Sequence, residues 1–355
     1  MRWYPLKLTS FYAPHVFGGR QIEQVLGRQG LPEGRVAESW ESSDIEGKGA
    51  RVTNGELAGQ SLHALVEQYP EALVGEDFDG PHFPVLAKFI DATGMLPVHL
   101  HANGPTARRK GTWSHGKTEA WHILHAAPGA TLLAGVKEGV DRDTLRTALL
   151  EDRFDDVMHR IEIRPGDTLY VQAGLLHSFG PETLLYEVQQ QADHQQHAMS
   201  WQMEDGSEIS HAQRQANIEA LLEEIDLSLQ TTPSTPLSVH EAAGVERRFC
   251  CAGPFFALER VLIDTVYIRS IDRATLVSNL GAPFTLHANG EAVLLERGES
   301  VLLPAALGEA TLEGRADVLM SYVPDLQALK ALLEDAGATA DELERLGDID
   351  GTEPL

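Results

Sequence analysis

Two histidines stand two residues apart in Leu96-Pro97-Val98-His99-Leu100-His101, and such a pair is how many chains begin to hold a metal ion. Val98 and Leu100 are apolar and alternate with His99 and His101, so the stretch reads as a short strand. Its period of two sends both imidazoles out of one face. Their Cα atoms then lie roughly 6.5 to 7 Å apart, close enough for one cation to take a nitrogen from each. Downstream, Glu119 in Gly116-Lys117-Thr118-Glu119-Ala120-Trp121 could supply an oxygen. His177 follows a Pro165-Gly166 turn, an apolar strand and an Ala173-Gly174 turn, and offers a fourth ligand. With 15 histidines in 355 residues a chance His-x-His pair is no rarity. The weight therefore rests on Glu119 and His177 following it in order.

Several elements must position these groups. Residues 83–91 read as a buried strand that carries Lys88 among apolar neighbours. Such a lysine either snorkels or faces a cavity where its charge is used, and the local residues by themselves favour snorkelling. Residues 103–116 read as a polar loop long enough to cover a site. Within it Arg108, Arg109 and Lys110 form the densest basic run of the chain. Helical spacing predicts a helix of about three turns from residue 60 to 73 with Ser61 as N-cap, another over 142–154 and a stronger one over 210–229. Strand patterns occupy 121–136 and 161–187. The composition of Thr231-Thr232-Pro233-Ser234-Thr235-Pro236 is that of a linker. Beyond it the pattern is β again, and residues 296–305 echo 163–173 turn for turn, with Glu309 where the first copy has His177 and with no His-x-His. A second lobe without a metal site is expected there. Residues 325–346 read as a helix or helix pair.

Composition narrows the function. An apolar fraction of 43% is ample for a core, and 355 residues suit two lobes. The net charge of −25, from 28 basic and 53 acidic residues, argues against nucleic acid, whose binding depends on Lys and Arg neutralising phosphates. An anionic substrate would need a local group of cations. The only cysteines, Cys250 and Cys251, are adjacent, where a disulfide is strained and closes almost no loop; a reducing compartment follows. No apolar run resembles a signal peptide or a membrane span. The expectation is a cytoplasmic protein that binds no membrane; no oligomeric state is legible.

In sequence order, Glu38-Ser39-Trp40-Glu41, Val52-Thr53-Asn54-Gly55, residues 83–92, 96–101 and 116–121, Ala173-Gly174-Leu175-Leu176-His177 and Tyr186-Glu187-Val188-Gln189-Gln190 resemble the type I mannose-6-phosphate isomerase family of the cupin superfamily, in its compact bacterial form. The resemblance covers residues 1 to about 200, the rest matching only in its general β pattern. It implies a mainly β fold of two cupin jelly-roll lobes with a helical segment, which sets boundaries at 1–205 (metal-binding lobe), 206–238 (helix and linker), 239–324 (second lobe) and 325–355 (helical tail). It implies one divalent metal in the first lobe. His101, Glu119 and His177 match the family's ligands, and His99 stands where the family usually has glutamine. Three imidazoles and a carboxylate suit zinc and make manganese, iron or cobalt credible. Lys88, Lys117 and Glu187 match active-site residues, which reverses the snorkelling reading of Lys88.

The implied reaction interconverts mannose 6-phosphate and fructose 6-phosphate through a cis-enediol, with Glu187 or a lysine of depressed pKa as base. Two departures stand out: Pro97 replaces a serine near the phosphate, and the family's later arginines are absent after Gln190. Arg108, Arg109 and Lys110 could take their place if their loop folds over the cleft. The alternative is a divergent cupin that keeps the metal but binds or senses a carbohydrate, isomerises an unphosphorylated sugar, or does oxygenase- or decarboxylase-type chemistry.

Overall fold

Three eight-residue strands, Val85–Ala92, Glu119–Ala126 and Thr183–Gln190, lie at the centre of the fold, and their side chains divide by parity. Val85, Ala87, Phe89, Ala120, Leu184, Tyr186 and Val188 enter one core. Ile90, Ala92, Trp121, Ile123 and Leu185 enter another, on the opposite face. The computed structural model describes residues 2–76, 78–111, 115–198 and 207–353. In it these strands belong to an antiparallel six-stranded sheet of order Phe11–Ala13, Glu38–Trp40, Val85–Ala92, Thr183–Gln190, Glu119–Ala126, Thr168–Val171. A five-stranded sheet, ordered Gln196–His197, His99–Leu100, His177–Phe179, Thr131–Val136, Met158–Glu162, supplies Leu132, Ala134 and Phe179 to the second core. The space between these two sheets holds the candidate site.

The other face of the six-stranded sheet packs on a seven-stranded sheet, where the Tyr186 hydroxyl lies 3.1 Å from both Ser278 Oγ and Ser321 Oγ. A four-stranded sheet, Val266–Ile271, Gly308–Glu313, Phe284–Ala288 and Glu291–Leu295, covers the far side. The architecture is mainly β, of the cupin type expected. Helices Arg142–Leu150 and His211–Glu224 back the five-stranded sheet through Leu145, Leu149, Ile218 and Leu221. Ser210 and Asp141 cap them by accepting from Gln213 N–H and Thr144 N–H. Among the described residues no helix is long and apolar enough to cross a membrane.

Four expectations change. Leu6–Lys7 pairs with Leu302 and Val301, so the N-terminal residues join the sheet built from the C-terminal half. The Thr/Pro linker is not free chain, because Ser234 is buried and exchanges backbone hydrogen bonds with Thr168 at 2.8 and 3.0 Å. The stretch between His101 and Glu119 is not all loop: Gly104–Lys110 is helical, with Asn103 accepting from Thr106 N–H and Gly111 at φ 67° closing it. Residues 112–114 of that stretch, and the expected boundary at 205/206, lie outside the described residues. The helix expected over 142–154 stops at Leu150, and a short second helix, Phe154–Val157, follows.

One buried ion group holds the seven-stranded sheet. Glu259 is fully buried and receives Arg247 Nε at 2.6 Å and Arg269 Nη2 at 2.7 Å. Burial alone would raise its pKa, but Arg269 and Arg247 outweigh it and hold the carboxyl below the ordinary value of 4.5. A depressed folded pKa contributes stability that is present above the unfolded value and lost as pH falls through the folded one. Glu259→Gln is expected to cost about 3 to 5 kcal/mol at pH 7, since it strands two partly desolvated guanidinium groups. Denaturant melts should show this loss, and it should shrink in acid below pH 4.5.

Candidate metal centre and active site

His99 and His177 are directly opposite each other in the five-stranded sheet, and His101 lies just past the short strand. Gly174 N–H donates to the His101 carbonyl at 2.7 Å, which ties the turn before His177 to the first histidine pair. That turn needs φ +97° at Gly174, a conformation other residues adopt only with strain. Glu119 reaches in from the facing sheet. Its Oε2 is 3.3 Å from His101 Nε2 and its Oε1 is 3.3 Å from His177 Nε2. All four side chains are at most 5% exposed.

The protonation pattern of this cluster is that of a cation site. His99 Nδ1 lies 2.7 Å from the Pro97 carbonyl, His101 Nδ1 2.7 Å from that of His194, and His177 Nδ1 2.8 Å from that of Leu175. A carbonyl only accepts, so each Nδ1 carries a hydrogen and turns its Nε2 inward. The Nε2 atoms converge: those of His99 and His177 are 3.1 Å apart. Burial and the neighbouring imidazoles push His99 well below the ordinary range, and burial with Lys117 pushes His101 down to about 3. Burial would raise Glu119, but Lys117 and His101 hold it well below 4.5. Three converging imidazoles and a carboxylate are a donor set that fits a divalent metal.

Lys117 shares these acceptors. Its Nζ donates to Glu119 Oε2 at 2.5 Å and lies 3.0 Å from His101 Nε2. A cation held by all four ligands must take those two acceptors from the ammonium, which leaves Lys117 to address whatever fills the cavity.

Lys88 and Glu187 are cross-strand partners, and parity aims both at the same space as Glu119. Lys88 Nζ is 3.2 Å from Glu187 Oε1, 3.5 Å from Glu38 Oε2 and 4.5 Å above the Trp40 ring. Trp121 Nε1 donates to Glu187 Oε2 at 3.0 Å, and Trp40 Nε1 to Glu38 Oε2 at 2.6 Å. Burial pulls the Lys88 pKa down, yet Glu38 and Glu187 more than offset this and raise it. Lys88 is thus a fixed cation, and the expected option of a lysine with depressed pKa does not apply to it. Burial, then Glu119, raises Glu187 above 4.5 against the pull of Lys88 and Lys117.

Glu38, Lys88, His99, Lys117, Glu119 and Glu187 line a cavity of about 500 Å³ together with His15, Lys48, Asp193 and His197. Glu38, Lys48, Asp193 and His197 had no role in the sequence reading. Glu38 could have been found, because it and Trp40 share a parity next to Lys88. Arg108, Arg109 and Lys110 are not among the residues lining the cavity. They occupy the last turn of the Gly104–Lys110 helix, where Lys110 Nζ pairs with Glu224 at 2.7 Å and Glu223 at 3.2 Å. Their expected place over the cleft is corrected: the segment is held by its own helix caps and by the acidic end of the His211–Glu224 helix.

The fold is of the cupin type, and the cluster it carries is one that could hold a metal ion. The family described as "Mannose-6-phosphate isomerase, cupin domain" matches residues 246–323, the half in which the sequence showed only a general β pattern. A Bacillus subtilis protein named probable mannose-6-phosphate isomerase GmuF is 27% identical over 90% of this chain and 99% of its own length. A Streptococcus mutans mannose-6-phosphate isomerase is 25% identical over 90% and 98%. The crystal structure of a Bacillus subtilis mannose 6-phosphate isomerase superposes with TM-score 0.82 at 22% identity, covering 90% of this chain and all of that one. The chain is thus similar to proteins named mannose-6-phosphate isomerase over nine-tenths of its length.

Proposed function

We propose that the protein is a metal-dependent isomerase that interconverts mannose 6-phosphate and fructose 6-phosphate through a cis-enediol. The observation that carries this reading is one cavity lined both by His99 and Glu119, two members of the converging His3Glu cluster, and by a carboxylate, Glu187, of raised pKa. The names of the relatives supply the substrate. A divalent metal bound by His99, His101, Glu119 and His177, which we take as zinc with manganese, iron or cobalt compatible, would polarise the oxygens on carbons 1 and 2 as a Lewis acid.

The rest is done by the chain. Glu187 removes the proton from carbon 2 and, after exchange with solvent, delivers a proton to carbon 1; its raised pKa makes it a stronger base than an exposed carboxylate. Trp121 and Lys88 fix its two oxygens. Glu38 holds Lys88 in turn, so the base is set by a buried chain of groups rather than by a mobile side chain. Lys117 donates to the sugar oxygens as charge develops on them. Free, buried Cys250 and Cys251 suit a cytoplasmic setting for this enzyme.

A second reading, isomerisation of an unphosphorylated sugar, is favoured by the charge of the cavity. Among the described residues lining it are three lysines, four carboxylates and no arginine. A phosphate there relies on Lys48, Lys88, Lys117 and the metal. Coupled assays of the metal-loaded protein with mannose 6-phosphate beside mannose, fructose and lyxose separate the two: the proposal requires the phosphorylated sugar to have the higher kcat/KM. Because the basic run lies off the cavity, replacing Arg108, Arg109 and Lys110 together by glutamine is expected to change KM for the phosphosugar by no more than roughly fivefold, the range of exposed charge interactions. A steep rise in KM would return those residues to the site.

A further inference from the structure

A second group of ligand atoms converges outside the catalytic cavity. Asp44 follows the Glu38–Trp40 strand, His63 sits on the helix Leu62–Gln68, and His82 precedes the strand Val85–Ala92. His63 Nδ1 is 3.1 Å from Asp44 Oδ1, and His82 Nδ1 is 3.6 Å from Asp44 Oδ2. One ligand atom from each residue lies within 4.8 Å of the others. Ligands about 2.1 Å from a tetrahedral ion are separated by about 3.4 Å. From the single atom Asp44 Oδ2 the two ring nitrogens lie at 3.4 Å (His63 Nδ1) and 3.6 Å (His82 Nδ1).

His82 Nδ1 is buried without a hydrogen-bond partner, and the buried Asp44 Oδ1 accepts no hydrogen bond and has only the His63 ring beside it, at 3.1 Å, a costly arrangement for polar atoms. Protonating both rings would set two like charges 5.4 Å apart, centroid to centroid, against a single carboxylate. A cation satisfies the orphaned oxygen and both nitrogens at once.

The surroundings hold the carboxylate in place. Phe83 N–H donates to Asp44 Oδ2 at 2.8 Å, and Asp44 N–H donates to Gln191 Oε1 at 3.1 Å. Gln191 Nε2 in turn donates to the carbonyls of Ser42 and Phe83. On the outer side, Glu67 Oε1 lies 3.7 Å from His63 Nε2, which is where an outer carboxylate orients a metal-bound imidazole through its other nitrogen. Asp44 is buried, whereas His63 and His82 are half-buried, so the fourth position of the ion opens to water.

We propose that Asp44, His63 and His82 form a second site for a borderline divalent metal such as zinc, separate from the His99, His101, Glu119 and His177 cluster. None of the three lines the catalytic cavity. The ion clamps the Leu62–Gln68 helix to the segment that leads into the strand bearing Lys88, so its effect is on stability rather than on turnover. The test strips the full-length protein with chelator, reloads it with excess Zn2+, removes the free ion and counts metal per chain. The parent is expected to hold one equivalent more than His63→Ala/His82→Ala, and Asp44→Asn should lose the same equivalent. Zinc should raise the melting temperature of the parent by more than that of the double variant, with turnover equal in both. Equal metal content in parent and double variant, or full retention by Asp44→Asn, would overturn the second site.

Discussion

Glu187→Gln is expected to lower turnover with mannose 6-phosphate by roughly 10²- to 10⁴-fold, the usual contribution of a positioned general base. Metal content should not change, because Glu187 is not one of the four converging ligands. The amide can still accept from Trp121 Nε1, so the fold is kept. The pH profile gives a second check. A base works only when ionised, and burial with Glu119 raises Glu187 above its ordinary 4.5, so kcat should fall on an acid limb whose apparent pKa lies above 4.5. That limb should vanish from the residual activity of the glutamine variant. Lys88→Met is a poorer probe than its position among apolar residues suggests. Removing its ammonium leaves Glu38 and Glu187 buried without their cation, so a loss of about 3 to 5 kcal/mol in stability should accompany the loss of activity.

The second large effect concerns the metal. His101→Ala combined with His177→Ala removes two of the four converging donors, and the two that remain cannot replace the full set of imidazoles and carboxylate. One equivalent of bound metal per chain should be lost and turnover should fall below detection. Lys117→Met should separate the two roles of that lysine. Its ammonium competes with a cation for His101 Nε2 and Glu119 Oε2, so the variant should bind metal more tightly while turning over less. If affinity falls instead, Lys117 supports the ligands rather than competing for them.

That His99, His101, Glu119 and His177 converge was legible because the signals around them are local. His99 and His101 share a strand parity, and His177 is bracketed by turns that its glycines make obligatory, Gly174 at φ +97° among them. The Lys88–Glu187 pair was not, since it depends on the register between strands far apart in sequence, which no local pattern encodes. The Gly104–Lys110 helix was misread although Asn103 before a proline and Gly111 after the last turn are good helix boundaries. The role of Ser234 could not be seen either: composition marks a linker, but only the fold brings it against Thr168. Arg108, Arg109 and Lys110 looked available for phosphate because the acidic partners of Lys110 come from a helix more than a hundred residues on.

The most direct test is to incubate the metal-loaded protein with mannose 6-phosphate in D2O and follow the sugar by NMR. An isomerase working through a cis-enediol with Glu187 as base should produce fructose 6-phosphate carrying deuterium at carbon 1, in the parent and at a greatly reduced rate in Glu187→Gln. Conversion of mannose alone with mannose 6-phosphate left intact would contradict the phosphosugar assignment, and absence of conversion for either sugar would contradict the isomerase.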